Sequence, residues 1–342
     1  MAERVTLRQV AELAGTSLGT ASHALANKTN VQPETRTRVL EAAAALGYKL
    51  PVRTAVSVNK ALNIVGLLTK RDVENAPFMN PFYSHILAGA ERECQRNRVS
   101  LMYATVEVDD RNRLPSWPVM LSEQQVDGLI VVGTFLEDTI ASIGKQSIQN
   151  VVLVDAYAPG QAFDSVVIDN INGAQIAVEY LIANGHRHIG LVGSTPDAYP
   201  SIRERRKGYV RTLRDNNIPD TYIEDSELTR EGGYEATIRL LQRAPQITAI
   251  FACNDTAAFG VMSAARDLKR RIPEALSVIG FDDIDPAQEV VPPLTTIHVD
   301  KVLMGVLAVR YLQDRSQDPN RTALTTSVGT QLIVRDSVQA LH

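Results

Sequence analysis

The sequence predicts a small α-helical head of helix-turn-helix pattern, followed by a larger α/β core with parallel sheets in two subdomains. Three observations predict it. The first fifty of the 342 residues carry three short, capped amphipathic stretches. From Ile64 onward, short Val/Ile/Leu runs alternate with amphipathic helical segments, the pattern of parallel strands buried on both faces. Charge divides the same way. Residues 1–60 hold eight Lys/Arg against four acids, a net +4; the whole chain carries −4, so the remainder stands at −8. A basic head on an acidic body points to a polyanionic partner for the head alone.

Thr6 and Gln9 form a Thr-x-x-Gln capping box, and Leu7, Val10, Ala11 and Ala14 follow the spacing of one buried helical face. Gly15 ends that helix with the left-handed turn it tolerates. Ser17 caps a second helix running to about Ala26, with Ala21, Ala24 and Leu25 inward and Leu18, Gly19, Ser22 and His23 outward. Pro33 starts a third, striped by Val39, Ala43 and Leu46 and stopped by Gly47. Residues 51–63 have little pattern and read as a linker. Ten strand-like runs follow: NIVGLL, VSLMYATV, DGLIVVG, NVVLVD, SVVID, HIGLVGS, AIFACND, SVIGFDD, TTIHVD and QLIVRD. Helical segments separate them near 82–97, 171–184, 202–216, 231–243, 255–270 and 301–314. Ten strands exceed one comfortable sheet, hence two subdomains.

Several function classes drop out. Hydrophobic residues at 44% and charged residues at 22% are ordinary globular usage, which argues against a disordered chain. No run of about 18 apolar residues exists, so no membrane partner is expected. The N-terminal stretch is charged and has no apolar run, and Cys94 and Cys253 form no disulfide framework, so cytoplasmic residence is expected. Gly15-Thr16-Ser17-Leu18-Gly19 satisfies the nucleophile-elbow pattern G-x-S-x-G, yet a helix rather than a strand precedes it. No nucleophile–base–orienter set stands in believable context, so neither an enzyme nor a cofactor is expected. The pair His186 and His188 would need further metal ligands, and none is evident.

The segment TLRQVAELAGTSLGTASHALANKTNVQPETRTRVLEAAAALGY resembles the DNA-binding module of the lactose-repressor (LacI/GalR) family of bacterial transcription regulators. NPFYSHILAGAE, DNINGAQIAVEYLIANGHRHIGLVG, AIFACNDTAAFGVMSAARDL and IPEALSVIGFDDI are similar to that family's effector-binding core. The resemblance implies a DNA-binding head over residues 1–50, a hinge over 51–62 and a periplasmic-binding-protein-like (type I) core over 63–342. Its N-subdomain is expected at 63–162 and 292–324, and its C-subdomain at 163–291 and 325–342, with passages near Phe163, Val291 and Thr325.

By position in the motif, Leu18, Gly19 and His23 match the family's base-reading positions, with His23 the main hydrogen-bonding probe. Thr6, Thr16, Ser17, Thr20, Ser22, Asn27 and Lys28 match residues that hold phosphates or pack the turn, and Arg8 and Arg36 add charge. In the hinge, Val56 or Val58 stands in place of the family's minor-groove leucine. The effector site implied comprises Arg205, Asp282 and Asn254, with Phe82, Tyr83 and Asp155 from the N-subdomain. Competing readings remain at this point: Arg205 in a solvated charge run, Asp255 as a helix N-cap, Asp283 bonded to loop amides, Phe82 in the core. Leu228 and Val299 stand where many members have an aromatic platform and a polar residue, but a sugar or sugar derivative remains the leading effector class. The resemblance implies a homodimer on two-fold operator DNA, regulated by effector as inducer or co-repressor. A solute-binding protein of the same core fold is the alternative function.

Overall fold

The computed structural model describes residues 6–25, 31–46, 62–70, 80–107, 114, 116–133, 140, 142–143, 150–158 and 162–341. The chain forms two compact units, one over Met1–Val58 and one over Asn59–His342. Asn27, Lys28, Val56 and Val58 lie outside the described residues.

The first unit holds α1 (Leu7–Leu13), α2 (Leu18–Leu25) and α3 (Pro33–Ala45). Its capping box is complete: the Thr6 amide donates to Gln9 Oε1 at 2.7 Å, and the Gln9 amide donates to Thr6 Oγ1 at 3.4 Å. Gly15 takes φ +63°, and Ser17 Oγ accepts from the Thr20 amide at 3.1 Å, capping α2. The predicted inward residues Val10, Ala11, Ala14, Ala21, Ala24, Val39 and Ala43 form one buried cluster with Ala42. These are small side chains, so the helices approach closely around a thin core.

The second unit begins with β1 (Ile64–Lys70), α4 (Pro81–Arg96), β2 (Ser100–Val106), α5 (Val119–Ser122), β3 (Gly128–Val132), β4 (Val151–Val154) and β5 (Asp164–Ile168). It continues with α6 (Asn170–Ala183), β6 (Ile189–Val192), α7 (Pro200–Asp215), β7 (Tyr222–Glu224), α8 (Arg230–Arg243), β8 (Ala249–Ala252), α9 (Asp255–Asp267) and β9 (Ser277–Ile279). A 3-10 turn over Asp285–Gln288, β10 (Thr296–Val299), α10 (Lys301–Gln317), β11 (Thr325–Val328) and β12 (Thr330–Ile333) complete it. All ten predicted runs are strands. The two that sequence reading missed, β7 and β11, are largely half-exposed or exposed edge strands with little apolar signal.

One sheet has six strands in the order β11-β5-β4-β3-β1-β2, and a second has four in the order β7-β6-β8-β9; both are parallel throughout. β10 and β12 pair antiparallel, and isolated parallel bridges Ile279↔Thr295 and Asp282↔His298 set β10 alongside the β9 strand and its continuation. This pairing moves the expected passages. β5 and β11 belong to the six-stranded sheet, so the chain leaves it after Ile168 and Val328 rather than at Phe163 and Thr325. The remaining passage follows Val299, not Val291, because β10 sits beside β9. Periodicity marks a strand; only hydrogen-bond register assigns it to a sheet. A single hydrophobic cluster includes Val65 and Ile130 of the larger sheet, Ile189 and Phe251 of the smaller, and Leu312 of α10.

Candidate functional site

In the head, Thr6 caps α1, Thr16 lies in the turn, and Ser17, Leu18, Gly19 and Thr20 open α2. Thr16 Oγ1 is buried without a hydrogen-bond partner among the described residues. Leu18 is 53% exposed, and a Cβ at Gly19 would meet nothing closer than Ser17 Oγ at 3.9 Å. The start of α2 therefore presents an apolar, open edge, with half-buried His23 further along. A leucine offers contact to a thymine methyl, and an imidazole offers a hydrogen bond to a base edge.

In the core, the candidate residues gather where strands end. Asp155 follows β4, Gly133 follows β3, and Asn170 follows β5; Ser194, Cys253, Asn254 and Asp282 lie beyond the carboxyl ends of β6, β8 and β9. Open parallel sheets place ligands at such a crevice. Phe82 and Tyr83 enter from the first turn of α4, which Asn80 caps by accepting from the Phe82 amide at 2.9 Å. Arg205 enters from α7 and is 3% exposed.

Arg205 organises the crevice. Its guanidinium lies 3.7 Å from the Phe281 ring centroid; Nε donates to Asn170 Oδ1 at 2.9 Å, Nη1 donates to the Cys253 carbonyl, and Nη2 stands 3.1 Å from Asp282 Oδ1. This burial removes Arg205 from the solvated charge run considered above. Its neighbour Arg206, on the outer side, pairs with Asp225 instead. Asp282 is 8% exposed, has φ +107°, and its carboxyl is raised by burial, an effect that Arg205 and Lys301 oppose. Asp155 has φ +54° and is pushed up to about 7, first by burial and then by the Asp282 and Glu204 charges, against relief from Arg205 and a hydrogen bond from Tyr83. Burial also raises the Tyr83 phenol, followed by the charges of Asp155 and Asp282. Gly133, at φ +83°, leaves room for that phenol: a Cβ there would stand 2.8 Å from its oxygen.

The other candidates sort differently. Asn254, not Asp255, is the N-cap of α9: its Oδ1 accepts from the Ala257 amide at 2.8 Å and its Nδ2 donates to the Leu228 carbonyl at 3.2 Å. Asp255 is fully buried, accepts from the Ile284 amide at 2.9 Å and from the Thr296 hydroxyl, and burial lifts it to about 8. Asp283 binds side chains rather than loop amides: Arg335 at 2.7 Å and His298 at 2.8 Å. Burial works against its charge, yet those partners hold it below the usual carboxylate range. Phe82 packs in the core cluster and meets Tyr83 edge-on at 5.4 Å. Val299 is fully buried, and Leu228 is half-buried beside Gly193. His186 bridges Thr248 at 2.9 Å and the Gln339 carbonyl at 3.1 Å, fastening a turn.

Sequence reading missed the residues that tie the crevice to the passages between sheets. Asn170, immediately after the first passage, bonds both Arg205 and Glu204, and Glu204 also accepts from Tyr157 at 3.1 Å. Lys301, immediately after the second, is 5% exposed and donates to the carbonyls of Asp282 and Asp283. Phe281 carries the guanidinium, and Gly173 makes space for its ring, since a Cβ there would approach within 2.8 Å. Asn170 and Phe281 sit inside recognisable motifs, but no spacing rule marks them. A cavity of about 240 Å³ adjoins the second passage, bordered by His85, Asp283, Asp285, His298 and Lys301. Across it His85 of α4 stands 3.3 Å from Asp285.

Comparison with known proteins places both units. A model of bacterial regulatory proteins of the lacI family matches residues 6–50, and a model of a periplasmic binding protein-like domain matches residues 178–338. The chain is 29% identical over 340 residues to the HTH-type transcriptional repressor PurR of Mannheimia succiniciproducens, covering 98% of this chain and 99% of that protein. It is 31% identical over 343 residues to the ribose operon repressor of Haemophilus influenzae, with the same coverage of 98% and 99%. The fold is similar to that of the transcriptional regulator CelR in complex with cellobiose (TM-score 0.70, 27% identity, 98% of this chain and 100% of that one). It is also similar to the lac repressor dimer bound to operator and the anti-inducer ONPF (TM-score 0.67, 27% identity, 99% and 100%).

Proposed function

Because the chain belongs to the LacI family of bacterial regulatory proteins, and so is a DNA-binding transcription regulator, we propose that it is a homodimeric cytoplasmic repressor whose operator affinity is set by a sugar or sugar derivative bound in the core crevice. The observation that carries this reading is the coexistence of a helix-turn-helix capped at Thr6 and Ser17, with an exposed Leu18–Gly19 edge, and a crevice whose central arginine is bonded to Asn170 at a passage between sheets. A solute-binding protein would have no use for the head.

In this account α2 enters the major groove. Leu18 supplies apolar contact, Gly19 admits the backbone close to the bases, and His23 donates or accepts one hydrogen bond. Thr6, Thr16, Ser17, Thr20, Ser22, Asn27 and Lys28 position the head on phosphates, and Val56 serves the hinge. Phe82, Tyr83, Asp155, Arg205, Asn254 and Asp282 form the effector site. Effector and operator are coupled through Asn170 and Lys301. A ligand that re-aims Arg205 or Asp282 shifts the passages they touch, and the coupling is reciprocal in affinity. Selection of duplexes from a random pool by the full-length protein tests the account. Two half-sites related by a dyad are expected, with a base preference under His23 that His23→Ala relaxes. Absence of any enriched sequence would overturn it.

A further inference from the structure

The second helix of the head lacks the side chains that bond base edges two hydrogen bonds at a time. α2, LGTASHAL, contains no Arg, Lys, Asn or Gln, and no acid. Those are the side chains that read guanine, adenine and cytosine in the major groove. In a helix-turn-helix the N-terminal residues of the second helix meet the bases. Here they are Leu18 and Gly19. Leu18 is exposed and lies outside the head's buried cluster, while Ala21 and Ala24 of the same helix lie within it. Gly19 is open, with Ser17 Oγ the nearest atom to a Cβ placed there, at 3.9 Å. The neighbouring hydroxyls serve the cap: Ser17 Oγ accepts from the Thr20 amide at 3.1 Å and stands 2.8 Å from Thr20 Oγ1. The base feature that suits an apolar side chain is the C5 methyl, which thymine carries and cytosine lacks.

Resting on the reading of α2 as the helix that enters the major groove, we infer that Leu18 makes the head a reader of 5-methylpyrimidines. Beneath it 5-methylcytosine substitutes for thymine, and a site with cytosine there gains affinity when that cytosine is methylated. A leucine side chain has neither donor nor acceptor. It does not register the exchange of the thymine O4 acceptor for the cytosine N4 donor; it registers whether a methyl leaves water against it. Gly19 adds no side chain to hold the backbone off the bases. Burial of one methyl is worth ~4-fold in affinity per half-site.

Duplexes selected from a random pool by the full-length protein supply the operator for the test. Each thymine of a half-site is replaced in turn by deoxyuridine, which removes the methyl alone, and affinity is measured by fluorescence anisotropy at one fixed salt concentration. At one position or more the replacement is expected to weaken binding by ~4-fold. At that position 5-methylcytosine paired with guanine is expected to bind like thymine, and unmethylated cytosine like uracil. Leu18→Ala is expected to flatten both differences, and Leu18→Met, which keeps an apolar side chain, to retain them. The wild-type comparisons need no variant to fold: the absence of any methyl-sensitive position, or 5-methylcytosine binding like cytosine, overturns the inference. A methyl effect undiminished in Leu18→Ala overturns the part given to Leu18. A pool with no enriched sequence overturns the regulator reading and takes this inference with it, whereas an enriched operator indifferent to methyl groups overturns this inference alone.

Discussion

Arg205 illustrates how much one buried side chain holds. Removing it strips partners from Asn170 and the Cys253 carbonyl and leaves the buried Asp282 carboxylate with only the charge of Lys301 to oppose its burial. Breaking a buried pair in this way costs about 3–5 kcal/mol. Arg205→Ala is therefore expected to lower the melting temperature of the core and to abolish any effector-induced thermal shift. A variant that still responds to effector at wild-type concentrations would remove the role given to this residue. Asp255 makes a second claim at this scale. Burial lifts its carboxyl from the ordinary 3.8 to about 8, so the native state holds a proton that the unfolded chain releases. Stability from this group is complete at acid pH and is lost as pH rises between those values. Asparagine mimics the protonated form. Asp255→Asn is expected to show a flatter decline of melting temperature between about pH 5 and pH 8 than the wild type; identical slopes would refute the assignment.

Among the helices, α4 and α10 meet backbone against backbone. A Cβ at Gly89 would stand 2.1 Å from the Val302 carbonyl oxygen, and one at Gly305 would stand 2.0 Å from that of Ile86. Backbone atoms cannot yield as a flexible side chain does, so Gly305→Ala must push the helices apart. The expected loss is at least about 1–3 kcal/mol in chemical denaturation. Because α10 begins at Lys301, which bonds the Asp282 and Asp283 carbonyls, effector affinity is expected to fall as well. Wild-type stability in Gly305→Ala would show that the crossing tolerates a methyl. In the head, Thr6→Ala removes one half of the capping box and is expected to cost about 1 kcal/mol of head stability. Circular dichroism together with operator binding would detect a weakened head on an unaltered core.

Over the whole chain, the +4 of residues 1–60 against the −8 of the remainder assigns duplex binding to the head. Operator affinity is expected to fall linearly on logarithmic axes as salt rises, by about 0.9 per phosphate neutralised. The dissociation constant across a salt series checks it; a flat response would exclude phosphate contact as the main source of affinity. Effector binding is expected of the core alone. A ligand that binds only the native core raises its unfolding temperature with concentration and leaves the head transition where it was.

Local chemistry was legible in the residues themselves. The capping box at Thr6, the stop at Gly15, the ten apolar runs and the helices between them all follow from short-range preferences, and each is present. Arg205 and Asp282 were legible because they sit in motifs whose positions carry meaning. Pairing decisions were not. β5 and β11 joined the larger sheet and moved the passages, because a strand's neighbours are fixed by long-range hydrogen bonds that no local pattern encodes. The cap of α9 fell to Asn254 and left Asp255 to brace a buried loop, a choice made by the approach of Thr296 and Ile284 from elsewhere in the chain. The commitment of each Arg205 nitrogen was likewise decided in three dimensions, where Asn170, Cys253 and Asp282 converge from distant strand ends to satisfy one desolvated charge.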